Sequence, residues 1–478
     1  MDQPRIAIIG AGFGGVAVAI ALRRAGFRDV VLLEKADGVG GVWRDNTYPG
    51  CACDVPAPLY SYSFALNPDW SRRYPPQSEI LAYLSRCVAA EGIGAGIRLG
   101  TEVTEACWDE PARCWRLRTA DGTEIVADVL IPAVGQLSRP VLPDLPGDFR
   151  GPALHTARWD PAVPLAGRRV AVIGTGASAI QLVPAIAGRA AHITVFQRHA
   201  PWTLPKPDRG YGRRRHALYR RVPALMRLTR AGTWALTMLG GAALTGNRPA
   251  AALVRAASRA QRRWQVRDPA LRAKVTPDEP MGCKRVLYTS AWLPTLARPD
   301  VDLVTEKIVA LTAAGVRTAD GAEHPCDVLV YGTGFAATEF LAPIRVTGRA
   351  GVSLHELWRD GAHAYLGLTV PGFPNMFLVY GPNTNTGNTS VVYFHEAQAR
   401  YIVQAVRRIA AGSNPLAVRV ARAHAYDTEL QARLAGSVWT GCQSWYRTAT
   451  GRIVTNWPGL AGEYARLTAR LRPGDYED

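Results

Sequence analysis

Residues 5–34 read RIAIIGAGFGGVAVAIALRRAGFRDVVLLE, and this stretch decides the fold. An apolar run from Arg5 to Ile9 ends at Gly10. GAGFGG then opens a helical pattern, and a second apolar run ends at Glu34. Strand, glycine turn, helix and strand in that order make a βαβ unit of a parallel sheet. Gly10, Gly12 and Gly15 satisfy G-x-G-x-x-G. The first glycine permits the tight turn. The second lets backbone approach a pyrophosphate, and the third lets helix and strand pack closely. The unpaired N–H groups at the helix start then face the phosphates. Glu34, ending the second strand, is placed to hold both hydroxyls of an adenosine ribose.

The same arrangement recurs at 168–198, RRVAVIGTGASAIQLVPAIAGRAAHITVFQR. Gly174, Gly176 and Ala179 form G-x-G-x-x-A. Here the second strand ends in Gln197-Arg198 where the first unit has an acid. Arginine favours a 2′-phosphate that a carboxylate would repel, so this unit reads as an NADPH site. The fold class is therefore α/β, with two Rossmann-like dinucleotide-binding domains. Between the units lie a proline-rich loop (Tyr48 to Pro58), a helix predicted over Ser78 to Glu91, short strands around Trp108 and Trp115, and a strand ending at Gly135. Residues 208–283 read as a basic helical insertion. A strand then ends near Phe335, NMFLVYG reads as one more strand, and a helix is predicted from about Phe394 to Ala411.

Composition bounds the function. Hydrophobic residues make up 48% of the 478 and charged residues 20%, which excludes disorder as the main state. Basic residues outnumber acidic ones 56 to 39 for a net charge of +17, and only five are lysines. The densest run is Arg213, Arg214, Arg215, Arg220 and Arg221. Aromatics interleave with it only sparsely, so no stacking platform for nucleic acid is expected. Weak contact with an anionic membrane surface is the one macroscopic partner this basic insertion suggests. The cysteines at 51, 53, 87, 107, 114, 283, 326 and 442 show neither metal-ligand nor disulfide spacing, so reduced thiols and no metal are expected. The N-terminus has no basic leader followed by a long apolar stretch. Ala231 to Asn247 falls short of a membrane span, and a cytoplasmic protein is expected.

Between the two units, residues 149–160 read FRGPALHTARWD. This resembles the FxGxxxHxxxW(P/D) fingerprint of type I Baeyer–Villiger monooxygenases, a class B flavin-dependent family. The resemblance runs over nearly the whole chain. GVGGVWRDNTYPGCACDV, AVGQLSRPVLPDLPG, GCKR, GFPNMFLVYGPNTN, WTGCQSWYRTATGR and NWPG are all similar to family segments. YGTGF has Gly332 where the family usually has alanine.

The resemblance implies FAD in the first unit and NADPH in the second. The reaction would insert one atom of O2 beside a ketone carbonyl, through a C4a-peroxyflavin, to give an ester or lactone. Arg285 would be the active-site arginine beside the flavin, and Asp54 would hold it and contact the cofactors. Lys284 and Arg198 would contact the 2′-phosphate. Thr175, Gly176, Ala177 and Ser178 would lie along the NADP pyrophosphate, and Trp445 would meet the nicotinamide ribose. Glu34, Val42, Trp43, Asp54 and Tyr60 would line the FAD site, and His155 would couple the domains. The implied division is 1–148 and 341–478 for the FAD domain, 149–207 and 284–340 for the NADP domain, and 208–283 for the insertion.

Three other readings compete. A flavin monooxygenase oxidising nitrogen or sulfur would use the same two sites with a protonated hydroperoxyflavin. The Trp159-Asp160 ending and the Lys284-Arg285 pair disfavour it. A flavin disulfide reductase needs C-x-x-x-x-C after the first unit, whereas Cys51 and Cys53 stand two apart. A binding protein would use the basic helices on nucleic acid or membrane, and retention on DNA or anionic vesicles would reveal it.

Overall fold

The computed structural model describes residues 3–243, 247–387, 389–412 and 414–477. Two parallel sheets organise the molecule. In the first, the strands run Ile97–Arg98, Val30–Leu33, Ile6–Ile9, Val129–Pro132 in spatial order. Ile6 stands opposite both Val30 and Val129. The central strand is covered on both faces, which is why its residues are apolar without alternation. In the second sheet the order is Val301–Val304, His192–Phe196, Arg169–Ile173, Val328–Tyr331, Ala153–His155. The fingerprint segment thus supplies an edge strand, with His155 opposite Tyr331.

The glycine turns follow from close approach. Gly10 sits at φ 103°, and a Cβ there would lie 2.8 Å from the Ala133 carbonyl oxygen. At Gly15 a Cβ would lie 1.9 Å from the Gly10 oxygen, so only glycine fits. In the second unit Gly174 sits at φ 109°, and its Cβ would meet the Gly332 oxygen at 2.6 Å. Gly332 itself would place a Cβ no nearer than 3.4 Å to Ala179 or Ile173, so the family's alanine would fit there.

Both ends of the chain build the first core. Ile6, Phe13 and Ile20 share it with Phe377, Tyr401 and Tyr476. Helix Val391–Ala410 lies along helix Phe13–Arg24. It starts earlier than its apolar pattern suggests, because the Ser390 hydroxyl caps it by accepting from the Val392 N–H. The NMFLVYG stretch does not form the expected strand. Phe377 and Val379 donate to Leu130 and Pro132 at 2.9 and 2.8 Å, but only Met376 forms a bridge. Asn375 and Tyr380 take left-handed backbone at φ 54° and 61°, which bends both ends away from extension. The region 208–283 folds as helices Arg213–Arg221, Pro223–Ala242, Arg248–Gln265 and Pro269–Lys274. Residues 244–246 of the Ala231 to Asn247 stretch lie outside the described residues. No described helix is long and apolar enough to cross a membrane.

A side chain of the second unit clamps the loop bearing Asp54. Gln181, on helix Ala179–Ile186, donates to the Ala52 carbonyl at 2.9 Å. Its amide oxygen accepts from the Tyr48 hydroxyl at 2.9 Å and from the Ala52 N–H at 3.3 Å. Gly50 lies so close that a Cβ would come within 2.5 Å of the Gln181 carbonyl. We expect Gln181→Ala to remove all three bonds and to cost about 1–3 kcal/mol in urea unfolding. An unchanged midpoint and slope would contradict the clamp.

Candidate active site

Arg285 and Asp54 form the centre of the site. They lie 231 residues apart in sequence, and the fold brings them into contact. Arg285 Nε donates to Asp54 Oδ2 at 2.9 Å, and Nη2 lies 2.7 Å from the same oxygen. Arg285 precedes the short strand Leu287–Tyr288, which pairs in parallel with Thr203–Leu204. The Asp54 charge raises the guanidinium pKa above its ordinary value, against the opposing pull of burial. Arg285 is therefore a permanent cation. The phenols of Tyr446 and Tyr380 stand near it. Burial pushes Tyr446 up to about 12 and raises Tyr380 further, so both stay neutral.

A second cation shares this corner. Lys206 Nζ donates to the Cys53 carbonyl at 3.0 Å and sits 4.9 Å from the Tyr74 ring centroid. Burial lowers its pKa while the Asp54 charge partly restores it. Sequence reasoning missed Lys206, although it is one of only five lysines.

The first glycine turn forms a cradle. Glu34, buried, accepts from the Ala11 and Ala36 N–H groups at 2.7 and 3.0 Å. Gly12 and Gly41 face each other so closely that a Cβ on Gly41 would lie 3.1 Å from Gly12 Cα. Val42 begins the short helix Val42–Asp45. Trp43 Nε1 donates to the Tyr60 hydroxyl at 2.7 Å, and Tyr60 meets the Phe13 ring edge-on at 5.2 Å. His395, also missed, is buried beside this turn, with Nε2 3.7 Å from where a Gly14 Cβ would stand. Neither ring nitrogen has a hydrogen-bond partner, and burial pushes its pKa down to about 3, so the imidazole is neutral.

At the second turn, Thr175 Oγ1 donates to the His199 carbonyl at 3.1 Å. Gly176 and Ala177 are exposed, Ser178 precedes helix Ala179–Ile186, and Ala179 is fully buried. Arg198 is exposed at the strand end. Gln197 points inward, donating to the Lys274 carbonyl at 2.7 Å. It supports the strand end and does not face the cleft. Lys284 Nζ lies 2.7 Å from Glu279 Oε1, so its ammonium already has a carboxylate partner. His155 is buried, with Nδ1 accepting from the Ala157 N–H at 3.0 Å and its ring edge-on to Phe335. Burial lowers its pKa, which suits a packed joint between strands.

The cysteine expectation fails at one pair. Cys283 and Cys442 form a disulfide with Cα atoms 6.0 Å apart, bridging 159 residues of sequence. No local spacing announces such a pair; the fold lays the C-terminal segment across the residues before Arg285. The bridge therefore ties Lys284-Arg285 to the segment carrying Trp445. Trp445 is 37% exposed, with its ring 4.3 Å from that of buried Tyr446. Behind it, Asn385 donates to Asn456 Oδ1 at 2.8 Å and accepts from the Tyr380 hydroxyl at 2.7 Å. Cys51 and Cys53 remain free and buried. Burial raises Cys51 to about 11 and Cys53 higher still, which removes the thiolate a disulfide reductase needs.

Comparison with known proteins places this geometry. The family model described as NAD(P)-binding Rossmann-like domain matches residues 8–74. The one described as pyridine nucleotide-disulphide oxidoreductase matches residues 53–214. A Baeyer–Villiger monooxygenase of Streptomyces coelicolor is 42% identical over 100% of this chain and 93% of its own length. One from Pseudomonas aeruginosa is 40% identical over 99% of this chain and 91% of its own. The chain belongs to the Baeyer–Villiger monooxygenase family. Solved structures agree. An oxidized steroid monooxygenase bound to NADP superposes with a TM-score of 0.86 at 31% identity, covering 98% of this chain and 97% of that one. A Rhodococcus cyclohexanone monooxygenase bound to NADP+ gives 0.87 at 28%, covering 98% and 97%. The protein is thus a flavin monooxygenase, and the Baeyer–Villiger reading prevails over nitrogen or sulfur oxygenation as its main activity.

In this monooxygenase the disulfide spans a long loop, and such cross-links typically contribute about 2–4 kcal/mol. We expect Cys442→Ser to melt below the parent by several degrees. Dithiothreitol should lower the parent to the same point and leave the variant unmoved. A parent melt indifferent to reductant would contradict the pairing.

Proposed function

We propose that this monooxygenase holds FAD in the first unit and NADPH in the second, and that a ketone and O2 meet at Arg285. The residues present fit both groups. The facing glycines Gly12 and Gly41 leave room for a pyrophosphate, Glu34 can accept ribose hydroxyls, and His395 has two unpartnered nitrogens beside the turn. Bound there, FAD would supply the hydride acceptance from NADPH and the O2 activation that no side chain provides.

The chain's own work is positional and electrostatic. Arg285 holds the negative charge that develops on the substrate carbonyl oxygen during attack. Asp54 sets its rotamer, and the Gln181 clamp sets Asp54. The carbonyl that Lys206 binds belongs to Cys53, one residue before Asp54, which steadies the same loop. Tyr380 and Tyr446 do not release protons readily. The site therefore offers fixed positive charge at Arg285, which suits nucleophilic attack on a carbonyl over electrophilic oxygenation of a heteroatom. The Arg285–Asp54 pair is the observation that carries this reading.

Arg198, exposed at the strand end, carries the preference for the 2′-phosphate. Lys284 joins it only by exchanging Glu279 for phosphate. Thr175, Gly176, Ala177 and Ser178 take the pyrophosphate, and Trp445 covers the nicotinamide ribose. Val42, Trp43 and Tyr60 wall the flavin. The FAD domain spans 1–148 and 341–478, the NADP domain 149–207 and 284–340, and the insertion 208–283. The cytoplasm, where NADPH is regenerated, is the proposed compartment. Membrane attraction through the insertion is at most weak. Arg220 pairs with Asp69 at 2.7 Å and Arg215 stacks on Tyr211 at 3.7 Å, so both are engaged within the chain.

Two variants test these assignments. Arg285→Ala should retain yellow flavin and slow NADPH oxidation while ester formation falls about 100- to 1,000-fold. Ester at the parental rate would overturn its role. Arg198→Ala should raise KM for NADPH at least about tenfold while leaving KM for NADH nearly unchanged. Equal effects on both would remove the phosphate assignment.

A further inference from the structure

Outside the Arg285 site, a cavity of about 570 Å³ opens between helix Arg248–Gln265, residues 276–281 and residues 436–439. Arg198, Thr175, Ser178 and Arg285 do not line it. Arg255, Arg259 and Arg262 face it from one side of the helix. Their i, i+4, i+7 spacing stacks them in a row along the wall. The row is unevenly covered: Arg255 is half-buried, Arg259 is exposed at the mouth, and Arg262 is only 4% exposed.

These arginines have no paired countercharge. Arg262 donates to the Ser258 hydroxyl at 2.7 Å and stands 5.4 Å from the Trp202 ring centroid. Among the described residues no carboxylate pairs with it, nor with Arg255 or Arg259. A buried cation without an anion is costly, and a hydroxyl and a ring face offset only part of that cost. Burial and the Arg259 charge both push its pKa down, the direction expected of a cation left unneutralised. Of the other charged groups at the wall, Arg433 binds Glu463 at 2.8 Å and Glu279 binds Lys284 at 2.7 Å, while the Asp278 carboxylate is 75% exposed at the rim. The rest of the lining is largely apolar, with Met281, Val438 and Trp439 among it.

We propose that this cavity binds an amphiphilic monocarboxylate, its carboxylate on Arg259 and Arg262 and its apolar body against Met281, Val438 and Trp439. A guanidinium fork matches a carboxylate in two bonds. The carboxylates of Asp278 and Glu279 in the same wall disfavour a ligand with a second negative charge. The volume suits a chain or ring system of medium size.

The test is calorimetric titration of the flavin-loaded protein with decanoate, decan-1-ol and inorganic phosphate, each with and without saturating NADP+. Decanoate should bind once per chain, and decan-1-ol at least about tenfold more weakly. Arg259→Gln with Arg262→Met should weaken decanoate by a similar factor. Because Arg262 is buried, a second variant, Ala251→Trp, fills the cavity without touching charge and should abolish binding. Both variants should keep the parental ketone turnover without decanoate. Equal binding of acid and alcohol would overturn the proposal. So would phosphate competing as well as decanoate, which would mark a plain inorganic-anion site. Displacement of decanoate by NADP+ would assign the cavity to the dinucleotide and overturn it too.

Discussion

A guanidinium that cannot lose its proton is held by one carboxylate from the other nucleotide unit. Almost every other feature of the site exists to keep that contact in register. The pair is roughly a quarter exposed on each side, so its net contribution to stability is modest. Its value is geometric. Asp54 sits in a loop with little regular structure, and such a loop would wander without anchors. Gln181 from one side and Lys206 from another fix its backbone. The Cys283–Cys442 bridge fixes the partner residue's segment two positions before Arg285.

The same logic explains why two nucleotide units are needed. Each glycine turn opens a helix whose free N–H groups await phosphate, and each lies at the carboxyl end of its parallel strands, where such sites form. Helix Ala179–Ile186 serves both purposes at once. Its start follows the second glycine turn, and Gln181 in its first turn clamps the loop that follows the first unit. His155, a neutral buried imidazole beside Phe335, joins the edge strand to the loop after strand Val328–Tyr331.

Much of this was legible in the residues. Both βαβ units follow from apolar runs broken by glycine at fixed spacing, which are local signals. The fingerprint and the Lys284-Arg285 pair pointed to the chemistry through family resemblance. What stayed hidden was set by contacts between distant segments. Nothing near Gln181, Lys206 or His395 marks them, because the segments they meet lie on other elements. The Cys283–Cys442 bridge was invisible for the same reason. NMFLVYG reads as a strand by composition and β-propensity, but left-handed backbone at Asn375 and Tyr380 overrides that preference. Gln197 carries the right position beside Arg198 yet is buried, held by the Lys274 carbonyl of a distant helix.

The central claim is that Asp54 acts through Arg285. A double-mutant cycle measures this directly, using Asp54→Asn, Arg285→Lys and the double variant, with ester formed per NADPH consumed as the readout. Strong non-additivity is expected. Asp54→Asn should cost at least about tenfold in the parent and little once Arg285 is already changed. Additive losses, equal to within about 0.5 kcal/mol, would show that the two residues work independently and would contradict the account.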